Sequence, residues 1–218
     1  MNKAWFFGDS FTDGHGSAPT DKYYQLVGGD TIRWTDIVSK KLNVSQENHG
    51  LRGASNENIF ESIQTFFSKV NKGDYVFLQS SSPTRQFFFL KNYDVLFKYG
   101  SNKVNSRKEE VELWLDPPKK TKDVSLELSE EQHQALVKFI THIRLDASER
   151  YMEHYRKQFN FYKSIFSDKE CKTVYWDWYE WKNYETIKKA TNKLIDDLHW
   201  SKKGNADFAE YILNKVKQ

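Results

Sequence analysis

Short apolar runs alternate with stretches of helical spacing along this chain. We predict strands at 4–7, 44–48, 75–79 and 173–176, and the continuous apolar run at 75–79 is of the kind buried in a parallel sheet. Apolar residues recur every three or four positions elsewhere, which predicts helices at 31–42, 57–70, 129–166 (with a break near 146–148), 187–194 and 204–216. Because strands and helices alternate, we predict α/β architecture: a parallel sheet between two helical layers, a three-layer α/β/α sandwich.

The alternation is interrupted between about 86 and 128. This stretch has no regular period, and it contains an aromatic cluster at 87–89 and two prolines, Pro117 and Pro118. A long irregular segment inside a compact domain is commonly functional, so we predict a mid-chain insertion or lid here. The 218 residues otherwise suit a single domain spanning 1–218.

Charge and cysteine content narrow the function classes. The chain carries 33 Lys+Arg and 30 Asp+Glu, a net charge of +3 that is spread along its length, which argues against a nucleic-acid partner. Because Cys171 is the single cysteine, the chain has no internal disulfide framework, and we expect Cys171 to be a small buried apolar residue. No apolar run suits a signal peptide or a bilayer span, so we expect no membrane partner and a protein that is cytoplasmic, or part of a virion or released by lysis.

The turn after the first predicted strand is the main candidate for chemistry. Gly8, Asp9 and Ser10 follow the apolar run, so Ser10 is expected at the carboxyl end of a strand, where open α/β sheets bind ligands. Asp9 is expected to hold the turn through backbone N–H groups. A serine hydroxyl becomes a good nucleophile only when a neighbouring base takes its proton.

A base and an orienting carboxylate are found near the other end of the chain. Asp196 precedes His199 by three residues, in the loop before the last predicted helix. The aspartate can accept the Nδ1 proton of the imidazole, which leaves Nε2 free as a base toward Ser10. Asp-x-x-His is common by chance in surface loops, and it gains weight from its combination with Gly-Asp-Ser. No histidine has metal-ligand spacing to a second His or Cys, so we predict neither a metal nor a cofactor.

These segments together resemble the SGNH or GDSL hydrolase family. Three of the family's four blocks occur in order: Gly8-Asp9-Ser10 with Asp13-Gly14 after it, a glycine block at 48–55, and Asp196-x-x-His199 before a final helix. The resemblance implies a flavodoxin-like α/β/α fold. It also implies that Ser10 is the nucleophile, His199 the base and Asp196 its orienting carboxylate.

The resemblance further implies oxyanion donors, and here the chain departs from the family. Gly53 matches the family's donor glycine and Gly50 competes with it, although a tight turn also accounts for both glycines. After the strand at 75–79 the family's Gly-x-Asn is missing. Either a residue of this turn donates in its place, or the protein is a weak or inactive member. The replacement candidates are Ser81, Ser82, Thr84 and Arg85, of which Arg85 is the most capable donor, although an ion pair is an equally open role for it.

We therefore expect a serine hydrolase that cleaves a carboxylic ester through an acyl-enzyme on Ser10, with a small-molecule or glycan ester as its substrate. O-acetyl groups on a carbohydrate suit the aromatic insertion, while a short-chain lipid ester and acyl transfer to a sugar hydroxyl stay open. His15 and His49 are candidates for substrate contact. The missing asparagine motivates an alternative of another class: a weak or inactive glycan-binding or structural protein, for example of a phage particle, on the same scaffold.

Overall fold

A computed structural model describes residues 2–14, 33–82, 86–90, 93–101, 111–116, 148–177 and 202–218, together with positions 131, 135 and 138. Its strands are β1 Lys3–Gly8, β2 Ser45–Gly50, β3 Tyr75–Gln79, β4 Gln86–Leu90, β5 Tyr93–Ser101, β6 Val111–Asp116 and β7 Lys172–Trp176. Its helices are α1 Ser10–Asp13, α2 Trp34–Leu42, α3 Asn56–Phe66, α4 Ser148–Asp168 and α5 Lys202–Val216, and a 3₁₀ turn at Phe67–Lys69 follows α3.

The main sheet is parallel and has the strand order β2-β1-β3-β7. The apolar strand β1 lies between β2 and β3, and Phe6 is in register with Asn48 on one side and Phe77 on the other. This order is that of the first four strands of a flavodoxin-like sheet, in which the carboxyl ends of the strands face the ligand. The predicted parallel α/β fold is confirmed. β1 is an inner strand of the sheet, with a neighbour on each side.

Two hydrophobic cores lie on the two faces of this sheet. On one face, alternate residues of β1, Trp5 and Phe7, pack with side chains of α3 and α4. On the other face, Ala4 and Phe6 pack with side chains of α2 and α5. Because successive strand residues point to opposite faces, an apolar run such as β1 is buried on both sides. The helices therefore form two layers around the sheet, as predicted.

The boundaries of several elements differ from the prediction. β2 continues two residues further, to Gly50, and the helix predicted to Val70 ends at Phe66. The helix predicted over 187–194 lies outside the described residues, as do most of 129–147. No described helix is both long and apolar enough to cross a bilayer.

Three strands occur within the predicted insertion. β4, β5 and β6 form an antiparallel sheet of their own, with Phe88 in register with Phe97 and Phe97 in register with Leu115. The sequence pattern predicted no strands here: in β4 three consecutive phenylalanines hide the alternation of period two that marks a half-buried strand, and β5 and β6 show that alternation only in part. β4 passes close to α3.

Candidate active site

Ser10 lies in the first turn after the central strand. β1 ends at Gly8, and Ser10 begins the one-turn helix α1, which ends at Gly14 with the left-handed φ of 80° that favours glycine. The Ser10 carbonyl accepts a hydrogen bond from the Gly14 amide at 3.1 Å. Ser10 is 4% exposed. The sequence-predicted position of this serine, at the carboxyl end of the central strand, is confirmed.

The Asp9 carboxylate stabilises this turn through its hydrogen bonds. It is fully buried, and its Oδ1 accepts hydrogen bonds from the Phe11 amide at 3.0 Å and from Gln79 Nε2 at 2.6 Å. Its Oδ2 accepts a hydrogen bond from Ser81 Oγ at 3.2 Å. The predicted structural role of Asp9 is confirmed, because its side chain caps α1 and joins it to β3.

Gly8 and Gln79 are closely packed next to α1. A Cβ on Gly8 would lie 2.5 Å from Gln79 Oε1 and 2.8 Å from Gln79 Cβ, so only glycine fits at the end of β1. The Thr12 hydroxyl donates a hydrogen bond to Gln79 Oε1, and the Gln79 side chain thus joins Asp9 to Thr12. The part that Gln79 plays in the site could not be predicted from its neighbours in sequence, because its partners lie about 70 residues earlier in the chain.

The end of β2 packs directly on the same turn. Asn48 Nδ2 donates to the Thr12 carbonyl at 2.8 Å, and Asn48 Oδ1 accepts from the Gly50 amide at 2.9 Å. A Cβ on Gly50 would lie 2.6 Å from the Thr12 carbonyl carbon. Gly50 therefore serves close packing, and its amide is already used by Asn48. Arg52 Nε donates to Asp13 Oδ2 at 2.7 Å, which adds an exposed link between the β2–α3 loop and α1.

Gly53 has a different environment from Gly50. It lies in a turn closed by a 3.1 Å hydrogen bond from the Ala54 amide to the Leu51 carbonyl, and its φ is +67°. A Cβ on Gly53 would meet nothing within 4 Å, so the backbone borders open space. Among the hydrogen bonds of the described residues, none has the Gly53 amide as donor.

The turn after β3 is held by an asparagine from α3. Asn56 is fully buried; its Nδ2 donates to the Ser81 carbonyl at 3.1 Å, and its Oδ1 accepts from the Ser81 amide at 2.8 Å. The cap of α3 is the side chain of the preceding residue, Ser55. Ser82 is half-buried, and Arg85 lies outside the described residues.

Asp196 and His199 also lie outside the described residues, but the start of the following helix is described. Asn205 of α5 accepts a hydrogen bond from the Trp34 amide at 3.0 Å, and the Trp34 indole donates to the Phe11 carbonyl at 3.0 Å. The first turn of α5 is thus connected through one residue to the helix that carries Ser10.

Asp177 is a further carboxylate at the same end of the sheet. It follows β7 directly, is 6% exposed, and accepts a hydrogen bond from Arg156 Nε at 2.8 Å. This hydrogen bond raises the pKa of the Arg156 guanidinium above its ordinary value. The signal that could have identified Asp177 is its place after a predicted strand, next to the end of β3.

His49 faces the hydrophobic core on the α3 side. Its ring stacks on Phe66 with a centroid separation of 3.8 Å and lies 5.4 Å from the ring of Phe7. The pKa of the His49 imidazole is lowered, mainly because burial disfavours its charged form. The charge of Glu47 opposes this effect to a smaller extent, and that of Lys69 adds to it. The suggested substrate contact of His49 gains no support from this position. His15 lies outside the described residues.

No group of three or more His, Cys, Asp and Glu side chains in the described part of the chain is arranged to hold a metal ion. Cys171 is buried, as predicted, and burial raises the pKa of its thiol.

Solved structures similar to this chain include two proteins of the lipolytic G-D-S-L family. The one from Veillonella parvula is 15% identical, with a TM-score of 0.39 over 98% of this chain and 97% of that chain. A putative lipolytic protein of the family from Desulfitobacterium hafniense is 13% identical, with a TM-score of 0.38 over 99% of both chains. A mutant of an acetyl-xylooligosaccharide esterase from Geobacillus is 17% identical, with a TM-score of 0.43 over 99% of this chain and 94% of that chain.

The family that the sequence motifs resemble is thus also the family of two of these structures. No protein-family model matches the chain, and no curated protein has significant sequence similarity to it.

Proposed function

We propose that this protein is a serine hydrolase that cleaves a carboxylic ester through an acyl-enzyme on Ser10. The observation that carries the proposal is the position of Ser10, which starts a helical turn at the carboxyl end of the central strand. The contacts of Asp9, Gln79 and Asn48 hold that turn from three sides. Preorganisation of this kind keeps a nucleophile in one geometry and is what acyl transfer requires.

His199 is the proposed general base and Asp196 its orienting carboxylate. Helix α5 begins at Lys202, three residues after His199, and its first turn contacts Trp34 through Asn205. Three residues of extended chain span at most about 10 Å, which limits how far His199 can lie from the start of α5. The contact of Trp34 with Phe11, beside Ser10, supports a position of His199 at the same edge of the sheet.

The proposed oxyanion donors are the amides of Gly53 and Ser10. The open space beside Gly53 supports this assignment, because a tetrahedral intermediate needs a backbone N–H that no side chain obstructs. The asparagine that would add a third donor is absent after β3, and loss of one such donor typically costs about 10²–10³ in turnover. Ser82 and Arg85 are the proposed replacements. Ser81 is a weaker candidate because its hydroxyl bonds to Asp9.

The proposed substrate class is an O-acylated carbohydrate with small acyl groups such as acetyl. In the reaction, Ser10 Oγ forms a bond to the acyl carbon, its proton passes to His199, and the alcohol leaves with that proton. Water then takes the place of the alcohol and releases the carboxylic acid. A sugar hydroxyl in place of water would give acyl transfer through the same intermediate.

Hydrolysis of p-nitrophenyl acetate by purified protein tests the proposal. Ser10→Ala is expected to reduce kcat/KM by roughly 10⁴-fold or more, because the nucleophile is lost. Ser45→Ala is the matched control, since Ser45 is an exposed serine at the opposite end of the sheet, and it is expected to keep wild-type activity. Unchanged hydrolysis in Ser10→Ala contradicts the proposal. A folded wild type that neither hydrolyses esters nor reacts at Ser10, but binds a polysaccharide, favours the non-catalytic alternative.

A further inference from the structure

A groove of about 420 Å³ lies between α3 and α4, on the outer side of one helical layer. Two glutamates, Glu57 and Glu61, line it from α3, and three aromatic side chains and two glutamines complete it. Its size is within the range of small-molecule sites. Neither Ser10 nor Gly53 is among the described residues that line it.

The two glutamates give the groove a negative charge. Glu57 and Glu61 are one helical turn apart, a spacing at which two carboxylates repel each other. Among the described residues, no Lys or Arg lines the groove and neither glutamate takes part in an ion pair. Tyr155 donates to Glu57 Oε1 at 2.6 Å, whereas the second carboxylate oxygen, Oε2, has no hydrogen-bond partner among the described residues. The charge is local, because the whole chain has a net charge of +3.

Three aromatic residues, Phe60, Phe161 and Tyr162, line the groove together with these carboxylates. Phe161 is 62% exposed, and its ring stands at 63° to that of Tyr162 with a centroid separation of 5.9 Å. Tyr162 is stacked on Phe60, which is buried, at 5.5 Å and 25°. Gln64 Nε2 donates to the Tyr162 hydroxyl at 2.8 Å and holds this ring in place. Aromatic faces combined with carboxylates attract organic cations, particularly quaternary ammonium groups.

We propose that this groove binds a small organic cation with an alkylated ammonium group. The complementarity is of charge and of surface: the two glutamates supply the opposite charge, and the faces of Phe161 and Tyr162 contact the alkyl groups. Glu57 directly follows Asn56, whose side-chain amide pairs with the backbone after β3. The proposal rests on the groove alone and does not require Ser10 to be a nucleophile.

Isothermal titration with choline tests this inference, and 3,3-dimethylbutanol is the control ligand because it has the same shape without the charge. Wild-type protein is expected to bind choline saturably, more weakly at high salt, and to bind the neutral alcohol much less. Glu61→Gln removes an exposed charge, and Phe161→Leu keeps apolar area but removes the aromatic face. Each is expected to weaken choline binding about two- to fivefold, and the double variant about tenfold.

Glu153→Gln is the matched control variant, since Glu153 is an exposed carboxylate on α4 that pairs with Lys157 outside the groove. It is expected to leave choline binding unchanged. Equal affinity for the neutral alcohol, wild-type affinity in the double variant, or absence of saturable choline binding overturns the inference. Ser10→Ala is expected to bind choline as wild type does, so this result and that of the esterase test are independent.

Discussion

Replacement of Gln79 by leucine is expected to destabilise the turn that carries Ser10. Gln79 is 1% exposed, and its amide donates to the Asp9 carboxylate while its carbonyl accepts from the Thr12 hydroxyl. Loss of a hydrogen bond to a charged group costs about 1.5–3 kcal/mol, and the orphaned hydroxyl about 1–3 kcal/mol. Burial of leucine offsets about 1 kcal/mol of this. We therefore expect a loss of about 1.5–5 kcal/mol in the free energy of unfolding.

A double-mutant cycle with Thr12→Val isolates the part of that cost which comes from the orphaned hydroxyl. Urea unfolding followed by tryptophan fluorescence measures the four proteins. In the Thr12→Val background, Gln79→Leu is expected to cost about 1–3 kcal/mol less than in wild type, because no hydroxyl is left unpaired. Additive costs, within about 0.5 kcal/mol, would refute the reasoning that Gln79 joins Asp9 to Thr12.

Three further outcomes follow from the same structure. Because the pKa of His49 is lowered in the folded protein, the unfolded chain protonates this imidazole first as the pH falls, and the free energy of unfolding should decrease below the ordinary pKa of 6.5. His49→Phe should flatten this part of the pH dependence measured by urea unfolding. An identical slope in the variant would contradict the burial of His49. Gly50→Ala should lower the melting temperature more than Gly53→Ala, because a Cβ at position 50 overlaps backbone atoms. At position 53 the only cost is that of alanine in a left-handed backbone conformation, about 1–2 kcal/mol. The reverse order would be incompatible with the described loop. The buried Cys171 thiol should react slowly with a thiol reagent at pH 8 and rapidly in urea, and fast labelling of folded protein would count against its burial.

Much of the fold could be predicted from local signals. β1 and β3 are continuous apolar runs, and the spacing within α3 and α5 matches one buried helical face, so their positions follow from period alone. The strand order could not be read in this way, because pairing of β1 with both β2 and β3 depends on contacts between distant segments. The sheet of β4, β5 and β6 was missed, since the aromatic residues of β4 are consecutive and β5 and β6 alternate only in part.

In the candidate site, too, roles that depend on neighbouring residues could be predicted and roles that depend on distant residues could not. The role of Asp9 could be predicted because aspartate before a helical turn is a common cap, a contact over two residues. The roles of Gln79 and Asn56 could not, because they depend on partners 70 and 25 residues away. Gly50 was weighed only as a turn residue or an oxyanion donor. Its close approach to the backbone of Thr12 is a tertiary contact that neighbouring residues do not indicate.

The central claim is that Ser10 is an activated nucleophile, and covalent labelling by a fluorophosphonate tests it most directly. Intact-mass spectrometry of the folded protein, followed by peptide mapping, measures whether one adduct forms and where. We expect a single adduct on Ser10, none in Ser10→Ala, and much slower labelling in His199→Ala, because the hydroxyl then keeps its proton. Folded wild-type protein that remains unlabelled, or that carries its adduct on another residue, would contradict the account.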